Sequence, residues 1–262
     1  MGSTVIDWRT FDSVAATYDE VRPGYPIAVF DAISAYGQLS VRPDVLEIGV
    51  GTGQATLQMV GRGWDVVGVE PGPELAAIAR ARLAGFARTS VLVSTFEAIE
   101  LTDSSFDVVA SATAWHWVDP SVGYDKAARV LRQTGTIALW WNAHVPETRD
   151  PHWVPIRRVY ERAAPELAVL PRLTPDRPDY DPAAELRASG QFRDIRQHVF
   201  PFSVTYTAEA FLALLDTYAS HRHLDSDRRR DLYDRLAEAV AIELGGAITK
   251  PYEAVLVLGR PA

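Results

Sequence analysis

An α/β fold on an open, mostly parallel sheet is what the sequence predicts, and three observations carry that expectation. Short apolar runs that read as buried strands alternate with helical stretches over residues 44–142. One such run passes straight into a glycine cluster, Gly49, Gly51 and Gly53, that opens a helix. The alternation stops over residues 143–195, rich in proline and charge, and regular elements then resume.

Taken in order, "YPIAVFDAISAYG" (25–37) reads as a helix, with Pro26 suited to its first turn and Gly37 to its stop. "DVLEIGV" (44–50) is a short buried strand and "QATLQMVGRG" (54–63) a helix. "DVVGVE" (65–70) is a second strand, "PELAAIARARLAGF" (73–86) a second sheet-covering helix, and "SVLVSTF" (90–96) and "FDVVASATA" (106–114) are further strands. "VGYDKAARVLRQTG" (122–135) reads as a helix and "TIALWWN" (136–142) as the fifth strand. Helices are expected at 154–164 and 182–190, an extended run at 195–204, long helices at 208–222 and 228–245, and a closing strand at 253–259. This gives an N-terminal cap segment over 1–40, a core over 41–142, a helical insert over 143–195, and the remainder of the sheet with C-terminal helices over 196–262.

Bulk properties narrow the function. The 47% apolar and 23% charged content is that of a globular chain with a full core. With no cysteine, a disulfide framework and thiol catalysis are excluded, and a cytoplasmic enzyme is the expectation. A net charge of −8 repels a phosphate backbone, so nucleic acid is not an expected partner. No apolar run reaches the roughly 18 residues of a membrane helix, so no membrane partner is expected. The histidines show no metal-site spacing, and no metal is expected.

Glycines at a strand-to-helix turn let a ligand approach the main chain. The spacing G-x-G-x-G departs from the G-x-G-x-x-G of dinucleotide sites, and no Gly-Lys-Ser/Thr follows. Glu47, just ahead of the loop, disfavours a pyrophosphate and suits a cationic ligand. Glu70, ending the second strand, is placed to accept bonds from both ribose hydroxyls. Adenosine with a cationic amino-acid tail describes S-adenosylmethionine.

"VLEIGVGTGQAT", "VVGVEPGPELAAIAR" and "STFEAIELTDSSFDVVASATAWHWVD" together resemble the class I S-adenosylmethionine-dependent methyltransferase family, over about residues 43–140. The resemblance implies a Rossmann-like seven-stranded sheet with an antiparallel last strand, helices on both faces and a helical cap. It implies that Gly49, Gly51, Gly53 and Gln54 lie along the methionine and ribose, that Glu70 holds the ribose, and that Glu47 faces the methionine amino group. Pro71, Thr95 and Phe96 would form the adenine pocket and Ala112 the strand end beside the cofactor; many members carry Asp where this chain has Thr95. "FDSVAATYDEVRPGYP" is similar to the N-terminal cap segment of small-molecule members, which would bring Tyr18 and Arg22 to the methionine carboxylate or to the substrate.

Two strand ends, "SATAWHWVD" and "LWWNAH", would supply the acceptor pocket through Trp115, His116, Trp117, Trp141 and His144. His116 is the candidate base, because its charge changes near neutral pH. "WHWVD" is similar to a stretch in relatives that methylate small carboxylic acids, such as trans-aconitate methyltransferases. The Asn/Asp-Pro-Pro-aromatic tetrad of nucleic-acid N-methylating enzymes is replaced here by Ala112-Thr113-Ala114-Trp115. The expected reaction is methyl transfer to an oxygen, carboxylate or hydroxyl, of a small molecule. The alternatives are a module that binds the cofactor without transfer, or another reaction on the same fold.

Overall fold

The computed structural model describes residues 21–145, 151–168, 173, 177 and 179–262. Tyr18 lies outside them. The described chain forms a seven-stranded sheet in the order β3-β2-β1-β4-β5-β7-β6, mostly parallel, with an antiparallel last strand and helices around it. The strands are β1 (Asp44–Ile48), β2 (Asp65–Glu70), β3 (Thr89–Val93), β4 (Phe106–Ala112), β5 (Leu131–His144), β6 (Phe192–Thr207) and β7 (Ala247–Pro261). The helices are α1 (Ile27–Gly37), α2 (Gln54–Val60), α3 (Pro73–Leu83), α4 (Pro120–Val130), α5 (Val154–Ala163), α6 (Pro182–Ala188), α7 (Ala208–Asp216), α8 (Ala219–Arg222) and α9 (Ser226–Glu243).

The chain divides into two compact units. The larger comprises 24–142, 179–200 and 254–262. Its centre is β1, which pairs in parallel with β2 (Leu46 beside Val67) and β4 (Leu46 beside Val109). Helices cover both faces, so β1 reads as a near-continuous buried run rather than an alternation. Phe30 of α1 packs edge-on to Trp140 of β5, with ring centres 5.8 Å apart, which seats α1 in this unit. Caps fix the helix starts: Asp119 Oδ1 accepts from Ser121 N at 2.9 Å ahead of α4, and Asp181 Oδ1 from Ala183 N at 3.0 Å ahead of α6.

The smaller unit comprises 1–23, 143–178 and 201–253. Its core gathers Ile156 and Tyr160 of α5, Phe211, Leu214 and Leu215 of α7, and Leu232, Leu236 and Val240 of α9. These residues recur at three- and four-residue spacing, so each helix turns one apolar stripe inward.

Several expected boundaries move. The helix read over 122–135 stops at Val130, and Leu131 already pairs with Phe106 as β5. The polar stretch Arg132-Gln133-Thr134 has no apolar periodicity to hold a helix, and Arg132 is drawn to Asp44 at 2.7 Å and Asp107 at 2.9 Å. The stretch 208–222 splits into α7 and α8 after Asp216, where Thr217 turns its hydroxyl back to Leu214 O at 2.6 Å. The division of the chain also differs from the sequence boundaries. Helix α1, expected in the 1–40 cap, belongs to the larger unit, and α7 and α9, expected with the core remainder, belong to the smaller. Packing partners decide this: α1 meets β5, whereas α9 and α7 share a core with α5.

Candidate functional site

The glycine loop is tied down by one carboxylate. Glu70 Oε2 accepts from Gly51 N and its Oε1 from Gly72 N, both at 2.8 Å, which fastens the loop after β1 to the loop after β2. Gly49 N also donates to Val69 O at 2.8 Å. All three glycines take positive φ: +73° at Gly49, +58° at Gly51 and +86° at Gly53. A Cβ on Gly49 would sit 2.2 Å from that of Ala114, whereas one on Gly51 would meet nothing within 4 Å. Gly49 is therefore required by packing. Gly51 faces open space beside Glu70, the kind of opening a ligand would use.

Glu47, on the central strand, is fully buried, and its Oε2 accepts from Thr56 Oγ1 at 2.5 Å. Its Oε1 has no partner among the described residues. Burial, reinforced by the nearby Glu70 charge and only partly offset by the Thr56 bond, pushes its pKa up to about 8. A buried carboxyl with an unmet acceptor suits a cationic group. Gln54 and Pro71 are half-buried at the two loop ends.

After β3, Thr95 Oγ1 accepts from Ala98 N at 3.3 Å and caps its own turn. The Phe96 side chain is buried against Trp115, 6.0 Å away between ring centres. Lys126 of α4 holds this loop from below: its Nζ donates to Glu97 O at 3.1 Å and to Ile99 O at 2.5 Å, and lies 5.1 Å from the centre of the Phe96 ring. Ala112 closes β4, half-buried, opposite Trp140.

Past β4, Trp115, His116 and Trp117 form one turn of 3₁₀ helix. Trp115 and Trp141 are buried in the sheet cover, as is Trp140, while His116 and Trp117 are half-buried. Trp141 Nε1 donates to His116 Nδ1 at 3.3 Å. Tyr180 packs against both rings, 5.3 Å from Trp141 and 6.1 Å from His116.

Arg22 and His144 belong to the smaller unit. Arg22 donates through Nε to Thr217 Oγ1 at 2.9 Å and stacks over the Tyr218 ring at 4.6 Å. His144 lies edge-on to Tyr218 at 5.5 Å. Burial, then the charges of Lys250, Arg22 and His221, lower its pKa to about 3.

Within the larger unit, the structure thus gathers Glu47, Gly49, Gly51, Gly53 and Glu70 around the β1 and β2 loops, and His116, Trp117 and Trp141 after β4 and along β5. Three positioning residues escaped the sequence reading. Thr56 carried a signal, a hydroxyl nine residues after Glu47 on the helix that faces it. Lys126 and Tyr180 carried none, because nothing local links them to Glu97 or to His116.

Among the described residues no helix is long and apolar enough to cross a membrane. The family model described as a methyltransferase domain matches residues 46–139. An uncharacterized methyltransferase of Mycobacterium tuberculosis is 41% identical over 141 residues, 54% of this chain and 53% of the relative, so the match spans about half of that relative's length. An uncharacterized methyltransferase-like protein of Schizosaccharomyces pombe is 28% identical over 236 residues, covering 89% of this chain and 86% of the relative. Among solved structures, phosphoethanolamine N-methyltransferase 2 of Haemonchus contortus in complex with S-adenosyl-L-methionine aligns with a TM-score of 0.55 at 16% identity, over 100% of this chain and 62% of that one. The YcgJ protein of a Bacillus species aligns at 0.54 and 18% identity, over 89% of this chain and 97% of that one. Over residues 46–139 the chain is thus similar to the methyltransferase domain family, and its seven-stranded sheet has the Rossmann-like methyltransferase fold.

Proposed function

We propose that the chain catalyses methyl transfer from S-adenosylmethionine to an oxygen of a small molecule in the cytoplasm. The observation that carries this is the loop clamp: Glu70 spans Gly51 and Gly72 beside the open space at Gly51. A carboxylate is an acceptor-only group with about four lone-pair sites, the chemistry that suits a pair of sugar hydroxyls. On this reading Glu70 holds the ribose hydroxyls, the chain from Gly49 to Gln54 runs along the methionine and ribose, and Glu47 balances the amino group.

Pro71, the Thr95 hydroxyl and the Phe96 backbone border the adenine in this reading, and Ala112 lies beside the transferred methyl. The Phe96 side chain belongs to the packing beneath. The cofactor supplies an activated methyl and its own leaving group. What remains for the protein is alignment and exclusion of water. His116 and Trp117, the partly exposed members of the aromatic turn, are the side chains that meet the acceptor, and the buried Trp115 and Trp141 support them. The likeness of "WHWVD" to carboxylate-methylating relatives supports an oxygen acceptor.

The test is incubation with methyl-labelled S-adenosylmethionine and a small-molecule extract. Label in a low-mass product supports the reading. Cofactor binding without labelled product favours a binding module instead.

A further inference from the structure

The left-handed residue just past β4 is a threonine. Among the described residues four besides glycine take positive φ, Gln38, Ser104, Thr113 and Asp194, and Thr113, at +55°, is the β-branched one. That conformation disfavours a branched side chain, and glycine would meet the turn more easily. A strained residue persists where its surroundings fix it, and here they do. Thr113 N donates to Trp140 O at 2.7 Å, and Thr113 Oγ1 lies 3.1 Å from the Tyr25 hydroxyl, 88 residues earlier in the chain. Tyr25 is held in turn from three sides. Its carbonyl accepts from Gln58 Nε2 of α2 at 2.9 Å, the carbonyl of Gly24 accepts from Asn142 Nδ2 of β5 at 3.2 Å, and its ring stands edge-on to Trp140 at 5.7 Å. The same turn abuts the glycine loop, since the Ala114 Cβ occupies the space a Cβ on Gly49 would need.

We infer that the Thr113 hydroxyl donates a hydrogen bond to the acceptor molecule, and that Tyr25 is a positioning residue that aims it. The inference rests on the methyl-transfer reading above, in which the end of β4 lies beside the transferred methyl, and adds a specificity-determining residue to it. Of the two hydroxyls the phenol is the stronger acid, so Tyr25 donates and Thr113 Oγ1 accepts. The Thr113 proton then points away from Tyr25, and a hydroxyl that accepts one bond becomes a better donor in the next. Both residues are half-buried, at the margin of the core rather than inside it. A proton on the reacting lone pair would oppose attack on the methyl. The bond therefore goes to a second atom of the acceptor, an oxygen or nitrogen beside the reacting one, and keeps the molecule in line with the methyl. The turn thus selects acceptors that carry a lone pair at that neighbouring position.

Variants of the full chain test this, with methyl-labelled S-adenosylmethionine and a dilute small-molecule extract as the probe. Thr113→Val keeps the branched shape and loses the hydroxyl, so labelling of the low-mass product should slow by roughly three- to tenfold, the worth of one neutral hydrogen bond. Thr113→Ser, which keeps the hydroxyl, should restore most of the rate, and Tyr25→Phe should slow it less than Thr113→Val does. Because Tyr25 acts through Thr113, the double variant Tyr25→Phe/Thr113→Val should be no slower than Thr113→Val alone. Calorimetry should give every variant the wild-type affinity for S-adenosylhomocysteine, which also shows that each is folded. Unchanged labelling in Thr113→Val, losses that multiply in the double variant, or weakened S-adenosylhomocysteine binding in Thr113→Val overturns the inference and leaves the methyl-transfer reading standing. No labelled product from the wild type overturns that reading itself, and this inference with it.

Discussion

Glu70 accepts the backbone N–H of Gly51 at 2.8 Å, so the residue expected to hold a ribose also sets the shape of the loop that would lie along it. Glu70→Ala should therefore weaken S-adenosylhomocysteine binding through two losses, the sugar bonds and the loop clamp. Hydrogen bonds to a charged group contribute about 1.5–3 kcal/mol each, so calorimetry should record a fall of at least tenfold. An unchanged affinity would mean the ribose lies elsewhere.

The two glycines either side of Val50 should respond differently to alanine. At Gly49 the new Cβ would stand 2.2 Å from Ala114 in a φ of +73°, a steric conflict inside the fold. Gly49→Ala should lose about 1–3 kcal/mol of stability to the collision on top of the left-handed penalty, read by denaturant titration. At Gly51 the φ of +58° adds a left-handed penalty of only about 1–2 kcal/mol, with no collision. Gly51→Ala should stay folded and lose cofactor affinity. Equal losses of stability would remove the argument that Gly51 is open for a ligand.

Glu47 predicts a pH dependence with a definite sign. Its folded pKa, about 8, lies above the ordinary carboxyl value of 4.5, so the native state holds a proton that the unfolded chain releases. Between these values stability must fall as pH rises. A cationic group beside the carboxyl favours its ionised form, so cofactor binding should release a proton and tighten as pH approaches 8. Calorimetry in two buffers of different ionisation enthalpy reads that proton, and Glu47→Gln should abolish it. Equal heats in both buffers would contradict this role for Glu47.

The smaller unit carries the opposite sign. His144, lowered to about 3, and the fully buried His221, lowered to about 4 by burial, stay neutral when folded, whereas the unfolded chain protonates near 6.5. Stability from these groups is complete above pH 6.5 and is lost as pH falls toward their folded values. Thermal melts at decreasing pH should show that loss, with a shallower slope for His144→Phe. An identical slope in the variant would show that His144 titrates without coupling to folding.

Much of the fold was legible because its signals are local. Buried strands such as "DVLEI" are continuous apolar runs, and glycines at positive φ announce the turn that follows. Glu47 and Glu70 were legible for the same reason, standing at or near the ends of such runs. The end of α4 was not, since Arg132 leaves the helix for Asp44, 88 residues away in sequence. The aromatic turn was half legible. Sequence places Trp115, His116 and Trp117 at a strand end but cannot tell that Trp115 faces the core or that Trp141 reaches His116. Lys126 and Tyr180 act wholly through long-range packing, which no periodicity encodes.

The cofactor is proposed to lie in the crevice beside Gly51, with Glu70 on its sugar. A crystal structure of the chain grown with S-adenosylhomocysteine tests this directly. Both ribose hydroxyls within hydrogen-bond distance of Glu70 are the predicted result. A ligand bound elsewhere, or the crevice filled by the protein's own side chains, would contradict it.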